Sequence, residues 1–194
     1  MTLPAVVADL LQREPVRTWT CTARTQEDAI RLASEQAVSG ANTQTVRALA
    51  IDLSRSVKSV DLFPARAAAW VREKMLYRRE HGEVFQGPIA TLRAGGGDCD
   101  DLAILFASLC LSLQVDALPA AVWYPGGGWC HMIGFSGHRL YELSREQWYS
   151  GAPDRGPKQL PAGAYVVAWD PRKSGVVELV QRCRTHVGGC KCGN

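Results

Sequence analysis

Gly97-Asp98-Cys99-Asp100-Asp101 runs straight into Leu102-Ala103-Ile104-Leu105-Phe106. The apolar stretch continues to Val115 and is bounded by Asp101 and Asp116. It predicts a helix over about residues 99–113 that is apolar nearly all round, and such a helix is buried rather than amphipathic. A thiol at the start of that helix sits beside unpaired backbone N–H groups and the positive end of the helix dipole. Both favour the thiolate, which is the nucleophilic form. The flanking Asp98, Asp100 and Asp101 are expected to cap the helix and stand as surface charges on its first turn. For Asp98, pairing with the loop arginine Arg93 is the alternative.

Upstream of the motif the pattern is helical. Thr25 is a cap for a helix through about Ala37, with Ala29, Ile30, Leu32 and Ala33 on its packed side and Ser39-Gly40 as its break. A second helix is expected from about Thr43 to Val57. A third starts at Pro64 and reaches about Tyr77, with Ala67, Ala68, Val71 and Met75 at helical spacing. Residues 80–97 read as a glycine-rich loop. Downstream the period changes. Strands are expected at Leu118–Trp123, Trp129–Phe135, His138–Leu143, Tyr165–Trp169 and Val176–Val180, with a turn at Pro125-Gly126-Gly127-Gly128 and a short helix near Arg145-Glu146-Gln147. The fold class is therefore α+β: helices first, then an antiparallel sheet against the buried helix. Residues 1–24 read as an N-terminal extension, 25–181 as the main domain and 182–194 as a cysteine-rich tail.

Bulk properties narrow the function. The chain has 194 residues, 46% hydrophobic and 21% charged, which is the composition of a folded globular chain. A net charge of +3 with scattered basic residues does not argue for nucleic acid. The longest apolar run is too short to span a membrane. The first 17 residues lack the order of a secretory signal, so synthesis in the cytoplasm is expected. Seven cysteines cannot all pair internally.

A nucleophilic thiol needs a base, and the base needs an orienting group. His131 lies in a predicted strand. A hairpin turning at Ser136-Gly137 sets Phe135 against His138, Ile133 against Leu140 and His131 against Glu142, with Cβ atoms of opposed residues about 5 Å apart. Glu142 then holds one imidazole nitrogen and leaves the other for the thiol. Cys130 neighbours His131 and must point to the other face. Cys110, about three helical turns after Cys99, reads as a small core residue. Trp123, Tyr124 and Trp129 are expected to line a core edge or a cleft wall.

The stretch from about Ala68 to Glu142 resembles the transglutaminase-like branch of the papain-type cysteine enzymes, in the compact form common in bacteria and their phages. The shared features are a helix ending near Tyr77, a loop with Pro88, Gly97 to Asp101 opening the central helix, His131 on a strand and an acid after it. The resemblance implies Cys99 as nucleophile, His131 as general base and Glu142 as orienting carboxylate. It implies an acyl-thioester route on peptide or peptidoglycan-type amides, with the Cys99 N–H as first oxyanion donor. The family's acid is usually Asp, commonly before Pro. Asp170 precedes Pro171 and fits that local pattern, but lies further from His131 than the family usually allows. The phage relatives also imply a place in a virion. The alternative to an enzyme is a non-catalytic protein of a phage tail hub or tip that keeps the fold and contacts other tail proteins.

The tail concentrates Cys183, His186, Cys190 and Cys192, with Gly188-Gly189 letting the chain fold back. Thiolates gathered in this way suit zinc or an iron–sulfur cluster. The spacing is not that of a zinc finger, and three cysteines need a fourth ligand: His186, Cys21 or a group from a neighbouring subunit.

Overall fold

The computed structural model describes residues 3–20, 25–79, 84–123, 129–144 and 165–180. The architecture is α+β, with six helices and a five-stranded antiparallel sheet among these residues. The helices are α1 (Ala5–Arg13), α2 (Gln26–Ala41), α3 (Gln44–Ser54), α4 (Phe63–Lys74), α5 (Pro88–Ala94) and α6 (Cys99–Ser112). The sheet comprises β5 (Leu118–Trp123), β6 (Trp129–Ser136), β7 (Arg139–Tyr141), β8 (Tyr165–Asp170) and β9 (Gly175–Val180), in the order β7-β6-β5-β8-β9. Two further pairs are short: β1 (Thr18–Thr20) with β3 (Val84–Gln86), and β2 (Leu76–Tyr77) with β4 (Gly96–Gly97). No described helix is long and apolar enough to cross a membrane.

Helix α6 is the centre of the molecule. Every residue from Asp100 to Cys110 is buried, and α2, α3, α4, α5, β5 and β6 all pack on it. Cys110 is fully buried in this core, as expected of a small apolar residue. Residues 1–24 contribute α1, whose Val7 and Leu11 enter the same core. Arg93 ties α1 down by donating to the carbonyls of Leu11 and Glu14, so its guanidinium is not the partner foreseen for Asp98.

Several boundaries moved, each for a packing reason. Thr25 does cap α2, accepting from the Asp28 N–H at 3.1 Å. The helix runs through Ser39-Gly40 to Ala41 rather than breaking there. Gly40 is a contact residue, since a Cβ at this position would strike the Pro88 ring and the Ser108 hydroxyl. The third helix stops at Lys74, and Leu76–Tyr77 become β2. The expected loop over 80–97 holds β3, α5 and β4, which the glycines obscured. In β4, Gly96 is pressed against the Leu76 carbonyl in a positive-φ conformation that a side chain would not tolerate. This parallel contact delivers the chain to Cys99.

The hairpin between β6 and β7 differs from expectation in register. Phe135 pairs with Leu140 and Ser136 with Arg139, so the two turn residues are Gly137 and His138. Both have positive φ, at 52° and 69°, which is the requirement of a type I′ turn. The pairing is shifted by two residues from the one centred on Ser136-Gly137, and His138 belongs to the turn rather than to a strand. A two-residue shift preserves the face that each side chain occupies.

The sheet has two apolar faces. Met132 and Gly134 turn toward α6, and a Cβ on Gly134 would collide with the Phe106 ring. Ala120, Val122, Ile133, Val166 and Ala168 gather on the opposite face. His131 pairs with Val122 and therefore belongs to this second face.

Candidate functional site

Cys99 is the first residue of α6, and the helix start is tightly organised. Asp98 and Asp101 form a reciprocal capping box, with the Asp98 N–H donating to Asp101 Oδ2 at 3.3 Å. Asp101 is fully buried and also accepts from the Gln86 N–H at 2.6 Å and from Gln86 Nε2 at 2.7 Å. Its carboxylate fills the space beside Gly97, where no Cβ fits. The capping role expected of these aspartates holds, but Asp100 and Asp101 are buried rather than surface charges. One carboxylate thus joins β3, the glycine approach and the first turn of α6. An aspartate at the cap with another three residues on is the pattern from which this box is legible in sequence.

The sulfur meets β6 at its edge. Strand β7 ends at Tyr141, so the ladder gives Met132 no partner on that side. By antiparallel alternation the Met132 N–H points to the same edge as those of Gly134 and Ser136, and it donates to the Cys99 sulfur. The thiol thus sits beside the Met132 N–H on the α6 side of the sheet, while the His131 side chain lies on the other face, so the sulfur and the imidazole are joined by no hydrogen bond. Cys99 remains partly exposed.

The thiol is nonetheless pushed up to about 12. Burial is the largest cause, the Asp98 carboxylate adds to it, and the N–H groups of Met132 and of Cys99 itself oppose it. The charge of Glu142 adds a smaller upward push. The expectation that the helix N-terminus would favour the thiolate is therefore overruled by burial and by the neighbouring carboxylate. The resting sulfur carries its proton.

His131 is buried, with 1% of its side chain exposed, and its Nε2 lies 2.8 Å from Glu142 Oε2. The partnership expected from the hairpin is present, though its geometry is not the expected one. Extending the observed register beyond β7 sets position 144 opposite His131, so Glu142 reaches the ring from the diagonal. It does so because its other oxygen is fixed. Oε1 accepts from the Leu143 N–H at 3.0 Å, the Ser144 N–H at 3.0 Å and the Ser144 hydroxyl at 2.9 Å. Burial pushes the Glu142 carboxyl up, but the hydrogen bond and charge of His131, with the Ser144 donors, outweigh it. The net result lies below the usual glutamate range.

Asp170, the other acid considered, is engaged elsewhere. It accepts from the Arg172 N–H at 3.0 Å and from Arg172 Nε at 3.2 Å, at the far end of β8. Ser144, the Met132 N–H and the Gln86–Asp101 contact were not foreseen, because each depends on where β7 stops or on how β3 folds back. Trp123 stacks on Tyr165 with ring centroids 5.9 Å apart, on the end of the sheet where Val122 pairs with His131. Tyr124, the short helix near Arg145 and the tail ligands Cys183, His186, Cys190 and Cys192, with Cys21, lie outside the described residues, as do the side chains of Trp129 and Cys130.

A separate cavity of about 240 Å³ lies between α1, α2 and α5, lined in part by Glu14, Arg17, Gln36, Gly40 and Pro88. It contains none of Cys99, His131 or Glu142. Comparison with family models, curated proteins and solved structures finds no match.

Proposed function

We propose that the chain is a transglutaminase-like cysteine hydrolase acting on peptide or peptidoglycan-type amides through Cys99, His131 and Glu142, as a component of a phage particle. The observation that carries this reading is the Cys99 sulfur beside the Met132 N–H, with the neighbouring His131 held by Glu142 at 2.8 Å. The order of helices, cysteine-led central helix, histidine strand and following acid agrees with the resemblance to that family.

In the proposed reaction Glu142 accepts the proton on Nε2, which fixes the tautomer that leaves Nδ1 as the base. A protonated resting thiol requires that its proton move to His131 as sulfur attacks the amide carbonyl. The reaction therefore needs the Cys99 side chain and the ring, which lie on opposite faces of β6 at rest, to be brought together. The carbonyl oxygen gains the negative charge, and the Cys99 N–H at the helix start faces it. Collapse forms a thioester and expels the amine, which takes the proton from the imidazolium. Water then gives a proton to His131 and adds to the thioester. The carboxylic acid leaves, and the returning proton regenerates the thiol. Dye-labelled peptidoglycan and fluorescein-labelled casein, incubated with the full chain and with Cys99→Ala, test the reading. Release by the wild type from either, abolished in the variant while the circular dichroism is unchanged, supports it. No release from either overturns it.

The protonated thiol favours one second reading, a non-catalytic structural protein of a phage tail hub or tip whose tail cysteines hold zinc or an iron–sulfur cluster. That reading expects stoichiometric metal in the purified protein and assembly that survives Cys99→Ala. The hydrolase reading expects the variant to assemble but not to cut.

A further inference from the structure

We propose that Ser144 is a positioning residue, whose hydroxyl and backbone N–H clamp Glu142 Oε1 so that Oε2 is turned to the His131 ring. The proposal rests on the triad reading and deepens it.

The need for a clamp follows from where Glu142 sits. Strand β7 ends at Tyr141, one residue before it, so no ladder hydrogen bond fixes its backbone against β6. Its approach to His131 is diagonal rather than direct. A glutamate side chain has three rotatable torsions and samples many rotamers unless something holds it. The structure supplies three donors to one oxygen: Leu143 N–H, Ser144 N–H and Ser144 Oγ–H, all within 3.0 Å. Each carboxylate oxygen thereby has its own task. Oε1 is anchored to Leu143 and Ser144, and Oε2 engages the imidazole at 2.8 Å.

Among those donors the Ser144 hydroxyl is the side chain, and Ser144 is itself 4% exposed. Its burial keeps water from replacing the bond when the carboxylate moves. The titratable groups that act on Glu142 from the elements around it are His131 on β6 and, at longer range, Cys99 at the start of α6. Removing the hydroxyl leaves both backbone donors in place. The backbone anchorage is retained, while the carboxylate loses a donor that favours its ionised form.

The test uses the full chain as wild type, Ser144→Ala, Ser144→Thr, Glu142→Gln and His131→Ala. Two quantities are read: the iodoacetamide labelling rate of Cys99 at pH 7, from mass spectrometry of its peptide, and the titration midpoint of the Glu142 carboxyl, from its carbon chemical shift. Ser144→Ala is expected to slow labelling on the order of tenfold and to move the midpoint up. Ser144→Thr, which keeps the hydroxyl, is expected to restore both. A Ser144→Ala protein matching the wild type in both readouts, while Glu142→Gln labels slowly, overturns the proposal and leaves the triad reading standing. A His131→Ala protein that labels at the wild-type rate overturns the triad reading, and the proposal with it. Should Ser144→Ala fail to fold, Ser144→Thr still decides: a threonine variant that folds but labels as slowly as Glu142→Gln overturns the clamp.

Discussion

Glu142 Oε2 stands 2.8 Å from His131 Nε2 even though the hairpin register places the two residues on a diagonal. The contact exists because β7 stops at Tyr141 and the N–H groups of the next residues, Leu143 and Ser144, capture the other carboxylate oxygen. The acid is held from behind and offered forward. A carboxylate presented in this way can orient an imidazole without itself being exchanged with solvent.

That arrangement predicts an acid-dependent contribution to stability. The Glu142 carboxyl sits below its ordinary value in the folded state, so the unfolded chain takes up its proton first as the pH falls. The contribution is complete above the unfolded value of 4.5 and disappears as the pH falls through the lower folded value. Urea midpoints of wild type and Glu142→Gln, measured from pH 7 to pH 3, should differ by a constant amount at the upper end and converge in acid. A gap that widens in acid would contradict the assignment.

Cys99 should be a slow nucleophile for small alkylating agents in the absence of its base. With the thiol held near 12, second only to burial as a cause is the charge of Asp98. Asp98→Asn is therefore expected to speed labelling of Cys99 at fixed pH, and it is the direction rather than the size that matters. The same shift has a stability consequence. The unfolded thiol ionises near its ordinary 9.0 while the folded one does not, so native stability should decline as pH climbs from there toward 12. Cys99→Ser should flatten that part of the decline.

Asp101 should be among the costliest single changes in the chain. It is fully buried and accepts from Gln86 N, Gln86 Nε2 and Asp98 N. Asp101→Ala leaves those donors without their acceptor, and a loss of about 3 kcal/mol follows from the cost of buried unsatisfied groups. Chemical denaturation measures it. A loss no larger than a surface substitution would show that the buried carboxylate does not hold β3 to α6.

Gly40→Ala sets two effects against each other. Alanine favours a helix interior by about 1 kcal/mol over glycine, but its Cβ would overlap the Pro88 ring and the Ser108 hydroxyl, which itself donates to the Ala37 carbonyl at 3.0 Å. Overpacking of this kind costs about 1–3 kcal/mol, so the net effect should be a lower melting temperature. Gly134→Ala meets Phe106 in the same way, without a helical gain to offset it, and should be the more damaging of the two.

Much of this molecule could be read in one dimension. The helix starting at Cys99 follows from an unbroken apolar run, and the cap at Thr25 follows from a side chain that satisfies a local N–H group. Strands β5, β6, β8 and β9 follow from composition and alternation. These signals are local, because a helix or a strand satisfies most of its requirements among near neighbours. The face shared by His131 and Glu142 also survived a misplaced turn, since strand side chains repeat every two residues and the error was two.

Other features arise between segments distant in sequence, and there local signals mislead. Gly40 looks like a helix break and is a contact with α5 and α6. Asp100 and Asp101 look like surface charges and are buried, and for Asp101 the reason is that β3 and the glycine approach close over it. The helix N-terminus argues for a thiolate, yet the packing of α6 against β6 withdraws water from the sulfur and sets Asp98 beside it. Periodicity and capping are written in the order of residues. Solvation and charge at a particular atom depend on which remote groups surround it, and those are assembled only when the chain has folded.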